Sequence, residues 1–227
     1  MYKNLITILC IFVCISCKNN HSHIYKNIST DKIIDINQKV VALTFDDGPT
    51  KYTNEILDIL KDNNSVATFF IIGNKVELYN DTITKMINNG NEIGNHSYSH
   101  KWLNRLDNTS IKEEIDNTQN ILNNKYQYTP TNFRPTYGGI NKKMRKIINL
   151  NIVMWNIDTK DWKYRNVDTI VSRATKNTHD LDIILMHDTK KRTVEAVKQI
   201  IPILKEKNFT FVTVEELQEI KKLRNEK

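Results

Sequence analysis

The chain has 227 residues, 33 basic against 26 acidic side chains and a formal net charge of +7, with 39% hydrophobic and 26% charged residues. Only 6 Gly and 4 Pro are present, which excludes collagen-like, Gly/Ser-linker and Pro-rich chains. The hydrophobic share excludes a disordered chain and suffices for one globular domain or barrel.

All three cysteines, Cys10, Cys14 and Cys17, fall in the first 17 positions, so the rest of the chain can form neither an internal disulfide nor a cysteine metal site. Lys3 precedes an apolar run from Leu5 to Ser16. That run is shorter than the ~20 residues of a spanning helix and fits the apolar stretch of a signal peptide. Cys14-Ile15-Ser16-Cys17 resembles a bacterial lipobox, although Cys14 stands where Leu or Val is usual. Residues 1–16 are therefore expected to be a signal peptide of lipoprotein type, with Cys17 lipidated. Cleavage there removes Lys3 and no acid, leaving +6. An excess so small, with no block of five or six like charges, points away from nucleic acid. Residues 17–38 are expected to be a polar linker, with His21 and His23 as solvated side chains.

From Val40 the pattern alternates between strand-like and helical stretches. The expected order is strand 40–45, helix 54–62, strand 66–72, helix 75–89, short strand 91–94, and helix 110–125 opened by a Ser110/Glu113 capping box. There follow strand 132–134, helix 142–149, strand 152–156, helix 167–176, strand 182–186, helix 193–205, strand 210–214 and a terminal helix from Glu215. Repeated strand and helix alternation implies an α/β fold with a parallel sheet and outer helices, and about seven strands point towards a closed barrel.

In such barrels the chemistry gathers at the carboxyl ends of the strands. Five places qualify: Asp46-Asp47-Gly48-Pro49, His96 to His100, Arg134 to Gly138, Asp158 to Trp162, and Leu185 to Asp188. Five of the ten Gly and Pro residues, Gly48, Pro49, Pro135, Gly138 and Gly139, lie in or beside them. His96 and His100 at i, i+4 can point two imidazoles at one metal, and a nearby carboxylate would complete a set that leaves positions open for water and substrate. Asp46-Asp47 offers that carboxylate and a second one free to take a proton. Asp-Asp-Gly-Pro is also good turn chemistry.

Thr44 to Pro49, His96 to His100, Arg134 to Gly138, Asp158 to Trp162 and Leu185-Met186-His187 stand in the order and approximate spacing of the polysaccharide deacetylases. The chain from about Val40 to the terminal helix resembles this NodB-homology group, carbohydrate esterase family 4. The resemblance implies a distorted (β/α) barrel over residues 39–227, forming a catalytic domain that removes acetyl groups from polysaccharides with a divalent metal, usually Zn2+, Co2+ and Ni2+ being alternatives. It implies Asp46 as general base, Asp47, His96 and His100 as metal ligands, Arg134 as the residue that holds Asp46, and the Tyr137 backbone N-H facing the oxyanion. His187 would be the general acid with its charge state set by Asp161, and Trp162 and Leu185 would wall the acetyl pocket.

The implied substrates are N-acetylglucosamine units in peptidoglycan, chitin-like or exopolysaccharide glycans. O-acetylated xylan is the alternative, and a non-catalytic glycan-binding module a more distant one. The expected partners are an acetylated polysaccharide and, through the lipid only, a bacterial membrane at the cell envelope; a monomer is expected. In the third motif Thr136 replaces a proline of the family's commonest form, which restores a backbone N-H and frees φ. Trp102, Tyr98 and Tyr137 are candidates for stacking on sugar rings.

Overall fold

A computed structural model describes residues 24–26 and 33–225. The expected signal peptide, Cys17, His21 and His23 lie outside the described residues. β1 (Ile24–Lys26) and β2 (Ile33–Asp35) form an antiparallel pair. The packed domain begins inside the stretch expected to be linker: Ile34 and Ile36 are buried against the main sheet, because a second apolar face there needs cover.

The main sheet follows the expected alternation. Its elements are β3 (Lys39–Gly48), α1 (Thr53–Asp62), β4 (Thr68–Ile71), α2 (Asn80–Asn88), β5 (Glu92–Asn95), α3 (Asn108–Tyr126), β6 (Asn132–Phe133), α4 (Lys142–Ile147), β7 (Asn151–Ile152), β8 (Ile157–Asp158), α5 (Val167–Thr175), β9 (Asp182–His187), α6 (Lys191–Glu206), β10 (Phe209–Phe211) and α7 (Val214–Asn225). The strand order is β7-β6-β5-β4-β3-β9-β8, with β10 pairing the start of β3, and every pairing in this sheet is parallel. The sheet curls but does not pair β7 with β8, so it is a half-barrel open between them rather than a closed ring.

Burial along β3 explains why the site sits where it does. Val41, Leu43 and Phe45 pack into the large core with Ile56, Leu57 and Leu60 of α1 and with Val194, Val197, Ile200, Ile201 and Leu204 of α6. Each such aliphatic side chain contributes roughly 1.5–3 kcal/mol of burial. Val40 and Ala42 point the other way, into a second core with Val212, Val214 and Leu217. Side chains alternate along a strand, so Thr44 and Asp46 share that inner face and turn it polar towards the carboxyl end.

Three local expectations change for reasons that bear on the site. Where a helix over 75–89 was expected, residues 73–79 form two short 3₁₀ turns; the Gly73 and Asn74 N-H groups donate to the carbonyls of Ser97 and Tyr98 instead of serving a helix. The strand expected over 152–156 stops at Ile152, because the Val153 and Met154 carbonyls accept from Arg134. α3 starts two residues earlier than expected, capped by Asp107, whose carboxylate accepts the Ser110 N-H at 2.8 Å, rather than by a Ser110/Glu113 box.

Candidate active site

Consecutive side chains of a regular strand point to opposite faces, so Asp46 and Asp47 would not reach one spot on an undistorted β3. The ladder with β4 pairs Asp46 with Phe70 and then Gly48 with Ile71. Asp47 is the extra residue of a β-bulge, with φ at 71°. The bulge swings the Asp47 carboxylate to the mouth of the half-barrel, where Oδ1 lies 2.9 Å from His100 Nε2 and 3.4 Å from His96 Nε2. Asp46 Oδ2 lies 4.0 Å from His96 Nε2. From the turn after β4, Lys75 Nζ donates to the Asp47 carbonyl at 2.7 Å and anchors the bulge.

His96 follows directly on β5, and a tight loop with Ser97 and His100 at φ 66° and 58° brings His100 back beside it. The Ser97 N-H donates to Asn95 Oδ1 at 2.9 Å and the His100 N-H to Ser97 Oγ at 3.0 Å. His96 Nδ1 lies 2.7 Å from the Arg134 carbonyl, an outer hydrogen bond that fixes the ring with Nε2 towards Asp47. The ligand atoms of Asp47, His96 and His100 all lie within 4.8 Å of one another. Two imidazole nitrogens and one carboxylate oxygen at a half-open mouth are a donor set that fits a divalent metal with positions to spare. Burial alone would raise the Asp47 carboxyl, but hydrogen bonds and charge from His100 and His96 outweigh it and hold the group well below the usual carboxylate range.

Arg134, fully buried at the end of β6, reaches Asp46 Oδ1 with Nη1 at 2.8 Å. The same nitrogen donates to Thr44 Oγ1 at 2.6 Å, while Nε and Nη2 donate to the Val153 and Met154 carbonyls at 3.3 Å each. The guanidinium also lies 4.1 Å from the Phe70 ring centre. A buried charge is tolerated when it is paired and hydrogen-bonded, and here Asp46 pairs it while four of its five N-H groups find acceptors. With Oδ1 engaged, Asp46 has Oδ2 left for the mouth.

His187 ends β9 directly opposite Asp46 in the ladder. Its Nδ1 lies 2.8 Å from Asp161 Oδ1, and Asp161 Oδ2 accepts from the Thr193 hydroxyl at 2.7 Å. Burial alone would lower the imidazole, yet the Asp161 hydrogen bond and charge, with Asp46 and Asp47 beyond, push it up to about 9.

At the rim, Tyr137 has φ 58° and is 53% exposed. Its ring stacks on Trp102 at 4.2 Å with a 12° tilt and meets His100 edge-on at 4.7 Å. Trp162 is 57% exposed, and Leu185 is buried on β9 beside Thr44. Asp158 closes a turn by accepting the Lys160 N-H at 2.8 Å. The structure thus brings Asp46, Asp47, His96, His100 and Arg134 into one cluster, with the His187–Asp161 pair beside it. Nothing in the sequence pointed to roles for Lys75 and Thr193, and Thr44 stood in the first motif without a role; its place two residues before Asp46, on the inward face of the same strand, is the signal that could have supplied one.

Residues 34–152 match the family model described as polysaccharide deacetylase. The chain is 42% identical over 202 residues to the peptidoglycan-N-acetylmuramic acid deacetylase PdaC of Bacillus subtilis, covering 88% of this chain and 43% of PdaC. It is 37% identical over 180 residues to the peptidoglycan-N-acetylglucosamine deacetylase PgdA of Listeria monocytogenes, covering 79% of this chain and 39% of PgdA. The chain thus spans about two fifths of the length of these curated relatives. The solved structure of PdaC superposes with a TM-score of 0.82 at 44% identity, over 85% of this chain and 96% of that one. A family 4 acetyl xylan esterase from Clostridium thermocellum, in complex with a cobalt ion, gives 0.77 at 33% identity, over 81% and 92%.

Proposed function

The chain belongs to the polysaccharide deacetylase family, and from that premise we propose that it is a metal-dependent hydrolase removing acetyl groups from N-acetylated envelope glycan. The observation that carries this reading is the division of labour at the β3 bulge. Asp47 faces two imidazoles, while its neighbour Asp46 is held by Arg134 with one oxygen free. One carboxylate serves as ligand and the other as base, as amide hydrolysis requires.

Asp47, His96 and His100 would hold the ion, Zn2+ being the first choice and Co2+ or Ni2+ also suiting the set. When bound, the metal supplies Lewis-acid polarisation of the acetyl carbonyl and an acidified water. Asp46 Oδ2 takes the proton that the attacking water gives up, and Arg134, bonded to Oδ1, keeps that carboxylate oriented. The Tyr137 backbone N-H faces the developing oxyanion; removing one such donor costs about 10²–10³ in rate in other enzymes. The leaving amine is too basic to depart without a proton, and His187, held protonated by Asp161, delivers it from Nε2. Trp162 and Leu185 wall the acetyl methyl, and the Trp102–Tyr137 stack offers a flat face to a sugar ring.

The relatives named for peptidoglycan favour N-acetylglucosamine or N-acetylmuramic acid units as substrate, and an extracytoplasmic location at the cell wall. Residues 1–16 as signal peptide and Cys17 as lipid attachment point agree with that location, with the catalytic domain acting as a monomer. The likeness to an acetyl xylan esterase supports O-acetyl hydrolysis as the second reading. Acetate release from N-acetylglucosamine oligomers, peptidoglycan and acetylxylan, with chelator and after zinc or cobalt is restored, separates the readings. No release from any of the three in the presence of metal refutes the enzyme.

A further inference from the structure

The loop between His96 and His100 has backbone conformations that L-residues seldom adopt, and something outside the loop must hold it. α3 supplies that support. Glu114, with 6% of its surface exposed, projects from α3 beneath the loop. Its Oε2 accepts the Tyr98 N-H at 3.0 Å and the Ser99 N-H at 2.7 Å, and its Oε1 accepts the Ser99 hydroxyl at 2.5 Å. Lys101 Nζ lies 3.5 Å from Oε1. Both peptide N-H groups between Ser97 and His100 therefore converge on one carboxylate. Burial alone would raise Glu114, but the Ser99 bonds and the Lys101 charge bring it below its ordinary value, so it is an anion at neutral pH. On the same helix Glu113 is exposed and makes none of these bonds.

We propose that Glu114 is a positioning residue for the metal centre: its carboxylate clamps Tyr98 and Ser99 and thereby fixes the separation of His96 Nε2 and His100 Nε2. This rests on Asp47, His96 and His100 binding the ion. Amide-to-carboxylate bonds are among the stronger hydrogen bonds, and two of them close the loop against a helix whose Ile115 and Leu122 are buried in the packed cores. Without the clamp the loop is free to relax, and the imidazoles lose the pre-set spacing that lets both reach one ion.

Zinc affinity of the metal-free protein, measured by competition with a chromophoric chelator, tests this without reference to turnover. Glu114→Met keeps the length and bulk but removes both acceptor oxygens that hold the Tyr98 and Ser99 N-H groups, and zinc binding weakens about 10–100-fold, the usual cost of losing an outer partner of a metal ligand. Ser99→Ala removes one bond and leaves the core untouched, so it weakens zinc by less but measurably, and it decides the matter if Glu114→Met fails to fold. Glu113→Met binds zinc like the unaltered protein. Zinc affinity within twofold of the unaltered protein in Glu114→Met, with only the melting temperature lowered, overturns the proposal and makes Glu114 a packing residue. Unaltered protein that binds zinc but releases no acetate refutes the deacetylase reading alone, since the affinity ratios still judge Glu114.

Discussion

His187 and Asp161 meet twice: the His187 ring Nδ1 lies 2.8 Å from one carboxylate oxygen, and the His187 backbone N-H donates to the other at 2.8 Å. The ring cannot turn without breaking the first bond, and the backbone bond keeps Asp161 from following it. Nε2 is therefore the nitrogen available to substrate, and a proton on it is stabilised by the carboxylate behind.

The pH consequence has a definite sign. The folded value, about 9, lies above the ordinary 6.5, so the imidazolium stabilises the fold fully below about pH 6.5 and this contribution is lost as pH rises through about 9. An NMR titration of the metal-free protein should place the His187 midpoint near 9. Metal loading should lower it, because the ion offsets the charge of Asp47. Asp161→Asn should bring the metal-free midpoint down towards 6.5, and the basic limb of activity down with it. A midpoint that stays high in Asp161→Asn rules out the pair as its source.

Asp46→Asn and His96→Ala separate base from ligand. Asn can still accept from Arg134 but cannot take a proton, so turnover falls at least ~100-fold, the scale of lost general-base catalysis, while zinc remains bound. Leaving Arg134 buried without a countercharge also destabilises the protein, by up to about 3–5 kcal/mol, which calorimetry reads as a lowered Tm. His96→Ala loses zinc. Retained turnover in Asp46→Asn refutes Asp46 as the base.

What the sequence showed and what it hid follow from range. The strand and helix order was legible because apolar runs such as Val40 to Phe45 and the helical pattern of Thr193 to Lys205 are local signals. The cluster of Asp46, Asp47, His96, His100 and Arg134 was legible because its members sit at strand ends in ordered motifs. The bulge at Asp47 was hidden, because it depends on which β4 residue opposes Gly48. So were the early stop of β7 and the late start of α2, since in both places backbone groups are diverted to Arg134 or to the His96–His100 loop. Ile34 and Ile36 looked like linker because the face they cover is built from residues far away in sequence.

Thr136 stands where a proline is commoner, and the structure shows what the exchange provides. Its hydroxyl donates to the Lys101 carbonyl at 2.6 Å, tying the Tyr137 loop to the segment that follows His100. Thr136→Val keeps the volume and leaves that carbonyl without its partner, a loss of about 0.5–1.5 kcal/mol. For a domain of this size Tm should fall by roughly 1–6 °C, and kcat should fall several-fold as the Tyr137 amide drifts, with Thr136→Ser restoring both. Equal behaviour of Val and Ser would show that the hydroxyl bond has no such role.

Gly48 is the last test of the bulge. A Cβ built on it would come 2.2 Å from Oδ2 and 2.6 Å from Oδ1 of Asp188, a fully buried carboxylate whose Oδ2 accepts from the Thr53 hydroxyl at the start of α1. Neither side can yield cheaply: Gly48 is held in β3, and Asp188 sits between β9 and α1. Gly48→Ala should therefore cost about 1–3 kcal/mol, as overpacking does, and should weaken zinc binding because the displaced backbone carries Asp47. Removing the obstructing carboxylate isolates the cause. If the clash is responsible, Gly48→Ala costs less stability in an Asp188→Ala background than in the unaltered protein, a coupling that a double-mutant cycle measures directly. Equal costs in the two backgrounds would place the strain elsewhere in the bulge.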